Sequence, residues 1–224
     1  MNRLNGKVAI VTGAGSGMGK SIALLFAEEG AKVIAADIHE SRLAALKEEA
    51  AAKPGKLHTV VTDVAIEADI ERMIQAATQT CGTLDILVNN AGIMDNFAPV
   101  GDLDNAMWEK VMRVNVDGPF KAMRSALKIF LAKGSGTIIN IASIAGLAGN
   151  PPGMKTIAYN TSKGAVVNFT RALAAEWGAY GIRVNALCPG FFPSKMTVGT
   201  LKALGEDKLA AHAPLGRLGD DEDL

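Results

Sequence analysis

Alternation is the feature that most constrains this chain. Short runs rich in β-branched residues stand at Val8–Val11, Lys32–Ala36, Thr59–Thr62, Asp85–Val88, Thr137–Ile141 and Ile182–Ala186. Longer stretches with helical spacing lie between them, at Ser16–Glu29, Ser41–Ala52, Asp69–Thr80, Asn105–Ala132 and Ala158–Tyr180. The apolar runs are continuous, which predicts strands buried on both faces. Strands and helices in this order predict right-handed βαβ crossovers and an α/β fold, a doubly wound parallel sheet flanked by helices. The second helix is expected to stop at Lys53-Pro54-Gly55. No linker or low-complexity segment interrupts the pattern, so one domain is expected over residues 1–224.

Composition narrows the function classes. Of 224 residues, 49% are hydrophobic, enough for a large core and against disorder. The 23 basic and 23 acidic residues cancel, so nothing draws the chain generally to nucleic acid or to an anionic membrane. The first residues do not read as a signal peptide, and the apolar runs are about half the roughly 20 residues that span a bilayer. A soluble cytoplasmic protein is the expectation. Cys81 and Cys188 lie far apart and read as reduced thiols; His39, His58 and His212 are scattered, so no metal site is expected.

Directly after the first strand comes Thr12-Gly13-Ala14-Gly15-Ser16-Gly17-Met18-Gly19, opening into a helix. Glycines here let backbone approach a pyrophosphate, and the helix presents free N–H groups and its positive end to the anion. The spacing of Gly13, Gly17 and Gly19 is G-x3-G-x-G, neither G-x-G-x-x-G nor a P-loop. Asp37 ends the second strand, 18 residues after Gly19; a carboxylate there can bind both adenosine ribose hydroxyls and repel a 2′-phosphate. Ser16 and Ile38 are uncharged where NADP sites often carry Arg or Lys, so NAD is expected over NADP. The competing reading of Asp37 is a helix N-cap.

With these residues in view, the chain resembles the short-chain dehydrogenase/reductase family in its classical branch, from Lys7 to the last residues. The resemblance rests on the glycine loop, Asp63-Val64, Asn89-Asn90-Ala91-Gly92, Asn115, Ser143, Tyr159-x3-Lys163 and Pro189-Gly190, in that order. It implies a Rossmann-type fold and an NAD(H)-dependent dehydrogenase or reductase acting on CH–OH groups. By that resemblance Asp63 and Val64 lie against adenine, Asn90, Ala91 and Gly92 border the cofactor, and Pro189 and Gly190 border the nicotinamide. Ser194 takes the place of a threonine that bonds the carboxamide.

The proposed catalytic residues are Asn115, Ser143, Tyr159 and Lys163. Tyr159 and Lys163, four apart, project from one helix face. A free phenol has a pKa of about 10; a nearby ammonium and the oxidised nicotinamide ring would favour phenolate, so Tyr159 can exchange a proton with an alcohol or ketone. By the resemblance Lys163 also holds the nicotinamide ribose, as it does in the family. Ser143 would hydrogen-bond the substrate oxygen. Asn115 is a polar amide inside the long helix, and the resemblance gives it the family's role of holding a water that relays protons to the lysine.

Two departures from the family pattern stand out. Ser143 and Tyr159 are 16 apart against about 13 in the family; the insertion, Asn150-Pro-Pro-Gly-Met-Lys155, is expected to form a loop over the substrate, with Met154 or Ile157 lining the pocket. The family also continues past the segment matched at Pro214–Gly219, whereas this sequence ends at Leu224. Either the sequence is incomplete or a final helix and strand are missing, which would expose a sheet edge; intact mass separates the two.

Phe191–Thr197, with Leu201 and Leu204, resembles the family's substrate lid, and ordinary surface-helix packing is the alternative. Lys195 could meet an anionic group on a hydroxy acid, sugar acid or acyl thioester; sugars and steroids remain open. The helices at Asn105–Ala132 and Ala158–Tyr180 carry apolar residues on more than one face, and since such helices pair with their copies in the family, the resemblance implies a homodimer or homotetramer. The rival functions are an NAD(H)-binding regulatory or sensor protein without turnover, and nucleotide-sugar epimerase or dehydratase chemistry.

Overall fold

The computed structural model describes residues 2–150, 153–194 and 196–223. Six parallel strands form one sheet in the order β3-β2-β1-β4-β5-β6. They are β1 Val8–Thr12, β2 Lys32–Asp37, β3 Lys56–Val61, β4 Ile86–Asn89, β5 Gly136–Ile141 and β6 Ile182–Leu187. The helices between them are α1 Gly17–Glu28, α2 Glu40–Glu49, α3 Glu67–Cys81, α4 Asn105–Met112, α5 Gly118–Lys133 and α6 Ile157–Trp177; short α7 Val198–Leu204 and α8 Glu206–Ala210 follow β6.

Strand β1 shows why the core has two layers. Val8 and Ile10 point to one face, among Ile70, Met73, Met123 and Phe130 of α3 and α5. Ala9 and Val11 point to the other, among Ile22, Ala23, Leu43 and Leu46 of α1 and α2. Each fully buried Ile or Leu stabilises by about 1.5–3 kcal/mol. Double-sided burial holds for β1 and β4, fully buried along their length, and for β2 after Lys32. It fails at the edges, where β3 is only partly buried and β6 alternates buried with exposed residues along its first half. The third strand also begins at Lys56, three residues before the apolar run suggests.

The order of strands reverses between β1 and β4. Helices leave on opposite faces there, opening a crevice at the carboxyl ends of both strands where such sheets bind ligands. The stretch 105–132 is not one regular helix. A π-helical turn, Arg113–Asp117, separates α4 from α5. Pro119 has no N–H for the carbonyl four residues back, that of Asn115, so the regular ladder cannot pass through. Helix α2 ends at Glu49, before the Pro-Gly breaker, and Ala50 caps it.

Candidate active site

A cleft of about 750 Å³ opens over the carboxyl ends of the strands. It brings together Gly13, Ser16, Gly17, Met18, Asp37, Asp63, Val64, Asn90, Ala91, Gly92, Ser143, Tyr159, Lys163, Pro189, Gly190 and Ser194. Gly19 and Asn115 are buried just behind its wall.

At the β1–α1 end the cleft is a backbone cradle. Gly13 takes φ 65°, and a Cβ there would stand 2.9 Å from Ala91 Cα. A Cβ on Gly19 would overlap Asn90 Nδ2 and the Gly13 carbonyl. Ser16 precedes α1 with extended backbone and its side chain makes no capping bond, so the first amides of α1 face the cleft uncapped. Asn90 does more than clear space: its Nδ2 donates to the carbonyls of Thr12 (2.9 Å) and Gly13 (3.3 Å). Thr12 Oγ1 accepts from the amides of Asn90 and Ala91, each at 3.0 Å, and donates to Val88 O. Thr12 opens the glycine-loop motif, but its bonding role appears only once β1 and β4 are paired.

Asp37 is buried, and both its oxygens are used. Oδ2 accepts from Gly15 N and Oδ1 from His39 N, each at 2.9 Å. The helix-cap alternative is thus partly right, because the carboxylate braces the turn into α2, although the residue preceding α2 is His39. Asp37 also lines the cleft, and so does Arg42, a cation that inspection of Ser16 and Ile38 alone misses. Asp63 Oδ1 accepts from Ala65 N at 2.9 Å, shaping the turn after β3, with Val64 buried beside it.

Ser143 lies two residues beyond β5, where its Oγ accepts from Ala145 N at 3.1 Å and starts a 3₁₀ turn. Ile144 N bonds the Pro189 carbonyl at 3.1 Å, fastening the Ser143 turn to the Pro189-Gly190 exit of β6. Tyr159 and Lys163 share one face of α6. Lys163 Nζ is 5.6 Å from the Tyr159 ring centroid and donates to Ile141 O at 2.7 Å. Burial pulls Lys163 down from its usual 10.5 to about 8, against a smaller opposing pull from Cys188. Burial also pushes the Tyr159 phenol up, while its hydrogen bond with Ser143 pulls it down. The expected lowering of Tyr159 by the lysine therefore does not win among the protein's own groups; desolvation of the phenol is the larger effect.

Asn115 sits in the π-helical turn, almost fully buried. Its Oδ1 accepts from Ile93 N (2.8 Å), and its Nδ2 donates to Ile93 O (2.9 Å) and Ser162 Oγ (3.0 Å). The side chain thus clamps the strand exit to α6. Ser194 exchanges hydrogen bonds with Thr197 and stands beside Gly17, where an added Cβ would lie 3.5 Å from the Ser194 Cβ. Lys195 and the pair at 151–152 lie outside the described residues. The rest of the inserted loop is pinned: Asn150 Nδ2 donates to Met154 O, Thr156 Oγ1 and Asn160 Oδ1, and Asn160 Nδ2 donates to Ala145 O. Neither Met154 nor Ile157 lines the main cleft, and Ile157 is exposed. Leu201 is buried as core, in keeping with the packing alternative for the lid, whereas Met196 and Thr197 line the cleft.

A crevice at a topological switch point, a glycine cradle, a carboxylate at the second strand end and a Tyr–Lys pair thus meet in one cleft. The chain belongs to the short chain dehydrogenase family, whose model matches residues 7–204. It is 45% identical to 3beta-hydroxysteroid dehydrogenase 2 of Eggerthella lenta, over 88% of this chain and 75% of that one. A solved NAD+-bound xylitol dehydrogenase superposes with TM-score 0.90 at 32% identity, covering 99% of this chain and 90% of the other. A Beutenbergia cavernae protein with NADP bound at low occupancy gives TM-score 0.91 at 36% identity, covering 99% and 87%.

Proposed function

We propose that the chain is an NAD(H)-dependent oxidoreductase that interconverts a secondary alcohol and a ketone, with Tyr159 as general acid/base. The observation that carries this reading is Tyr159, lining the cleft together with Ser143 and overlain by the buried Lys163.

The residues present fit a dinucleotide. A Cβ at Gly13 would press on Ala91 and one at Gly19 on Asn90 and the Gly13 carbonyl, so both glycines keep the turn tight against the β4 exit; α1 offers free amides for the pyrophosphate, and Asp37 stands where the adenosine ribose belongs. Asp63 and Val64 would flank adenine; Asn90, Ala91, Gly92, Pro189, Gly190 and Ser194 would border the nicotinamide half, and Lys163 its ribose. When bound, the nicotinamide supplies or accepts the hydride. Tyr159, held protonated by burial, donates to the carbonyl oxygen in reduction and takes the proton back in oxidation. Ser143 bonds the same oxygen and stabilises its alkoxide character. Lys163 stays charged below about pH 8 and electrostatically favours the phenolate as the proton leaves. The Asn115 backbone carbonyl, which Pro119 cannot bond, would hold the relay water to Lys163.

The inserted segment, tied back through Asn150 to Met154, Thr156 and Asn160, contributes to substrate choice. Phe120 and Leu131 are exposed on α5, in keeping with a homodimer or homotetramer. Among the described residues no helix is long and apolar enough to cross a membrane, and the cytoplasm is the proposed location.

The test is a panel of cyclohexanol, xylitol, a 3β-hydroxysteroid and a 3-hydroxy acid, with their ketones, followed at the nicotinamide absorbance with both cofactors. Turnover of at least one, faster with NAD(H), is expected. Tight NADH binding with no turnover of any would favour the sensor instead.

A further inference from the structure

Helix α6 carries Tyr159 but does not cap itself. Its N-cap residue, Thr156, makes no capping bond; its hydroxyl turns to Asn160 instead. The first amides are met from 63 residues away by Asp95, whose Oδ2 accepts from Ala158 N at 2.9 Å and from Tyr159 N at 3.2 Å. Asp95 is only 5% exposed, and its Oδ1 has no hydrogen-bond partner among the described residues. An ionisable group retained in so dry a place, with half its bonding capacity unused, is costly unless its two remaining bonds matter.

The segment that delivers Asp95 is tightly held. Asn115 grips Ile93 through both its N–H and its C=O. Phe97, two residues past Asp95, takes φ 60°, a conformation that a non-glycine residue keeps only when its surroundings impose it. The same segment begins at Asn90–Gly92, which lines the cleft. A continuous path therefore runs from the cleft wall through Ile93 to the backbone of Tyr159.

We propose that Asp95 is a positioning residue for Tyr159: its carboxylate anchors the first turn of α6 to the cofactor-lining segment and so fixes where the phenol stands. A carboxylate suits this task because it accepts two amides at once and complements the positive end of a 21-residue helix. This rests on the reading of Tyr159 as the proton-transfer group.

The test compares the wild-type protein with Asp95→Ala and Asp95→Asn. The readouts are NADH binding by fluorescence, reduction of whichever panel ketone the wild type turns over fastest, and amide hydrogen exchange over residues 157–163. Misplacing a catalytic group by about 1 Å can cost roughly 100-fold in rate. Asp95→Ala should therefore lower kcat by about 10- to 100-fold, leave NADH affinity and ketone KM within about threefold, and speed exchange at the start of α6. Asp95→Asn keeps an accepting oxygen and should restore both kcat and protection. If the alanine variant does not fold, Asp95→Ser, whose hydroxyl is one bond too short for both amides, takes its place with the same expected split. An unchanged kcat, a kcat loss matched by loss of NADH affinity, or an Asn variant as impaired as Ala overturns the proposal. A wild type without turnover instead overturns the reading of Tyr159, so the two failures are distinguishable.

Discussion

Lys163 places its Nζ 5.6 Å from the centre of the Tyr159 ring, inside a helix face from which water is largely excluded. The ammonium sits where it can favour a phenolate, yet burial works against its own charge, bringing it down to about 8. The two residues are thus matched: burial holds the phenol protonated and loosens the proton on the lysine beside it.

That match has a signature in stability. The unfolded chain keeps the lysine proton to its usual 10.5, while the folded protein releases it at about 8. Between these values the unfolded state binds more protons, so raising the pH favours the fold by about 3 kcal/mol in all, and below pH 8 this contribution is flat. Unfolding by urea at about pH 7.5 and about pH 10, without cofactor, should show the rise in wild type relative to Lys163→Met, which lacks it. Parallel pH responses of the two proteins would contradict the burial of a titrating lysine.

How much of this is legible in the sequence depends on where each residue finds its partner. Strands β1, β2 and β4 read clearly because burial on both faces leaves an unbroken apolar run. Edge strand β3 starts three residues before its apolar run because Lys56-Leu57-His58 is only partly buried and its residues need not be apolar. The break at Arg113–Asp117 is hidden inside a helical pattern, although Pro119, four residues after Asn115, is the available signal. The glycine cradle, Ser143, Tyr159 and Lys163 are readable because type and spacing are local. Thr12, Arg42 and Asp95 are not: Thr12 works through Asn90 and Asp95 through Tyr159, both remote in sequence, and Arg42 matters only by its place in the cleft.

Cofactor choice should turn on Asp37. Asp37→Ala removes the carboxylate that would repel a 2′-phosphate and leaves Arg42 at the same cleft wall. The ratio of kcat/KM for NAD to that for NADP should fall by about 10- to 100-fold, with some loss of melting temperature because Gly15 and His39 lose their acceptor. An unchanged ratio would show that Asp37 serves the loop alone.

The inserted loop offers an independent check on specificity. Asn150→Ala removes the amide that ties Met154, Thr156 and Asn160 together. KM should change by about three- to tenfold, and unequally between a small alcohol and a steroid, while NADH affinity stays put. Equal changes for every substrate would remove the loop from substrate choice.

The most direct measurement is NADH oxidation by wild type and Tyr159→Phe with the best ketone of the panel, alongside NADH binding to each. General acid/base catalysis is worth about 10²- to 10⁴-fold, and here it would rest on one phenol. The account predicts that Tyr159→Phe lowers kcat by about 10³-fold with NADH binding within about threefold of wild type. A Tyr159→Phe protein that keeps kcat within about tenfold of wild type would contradict it.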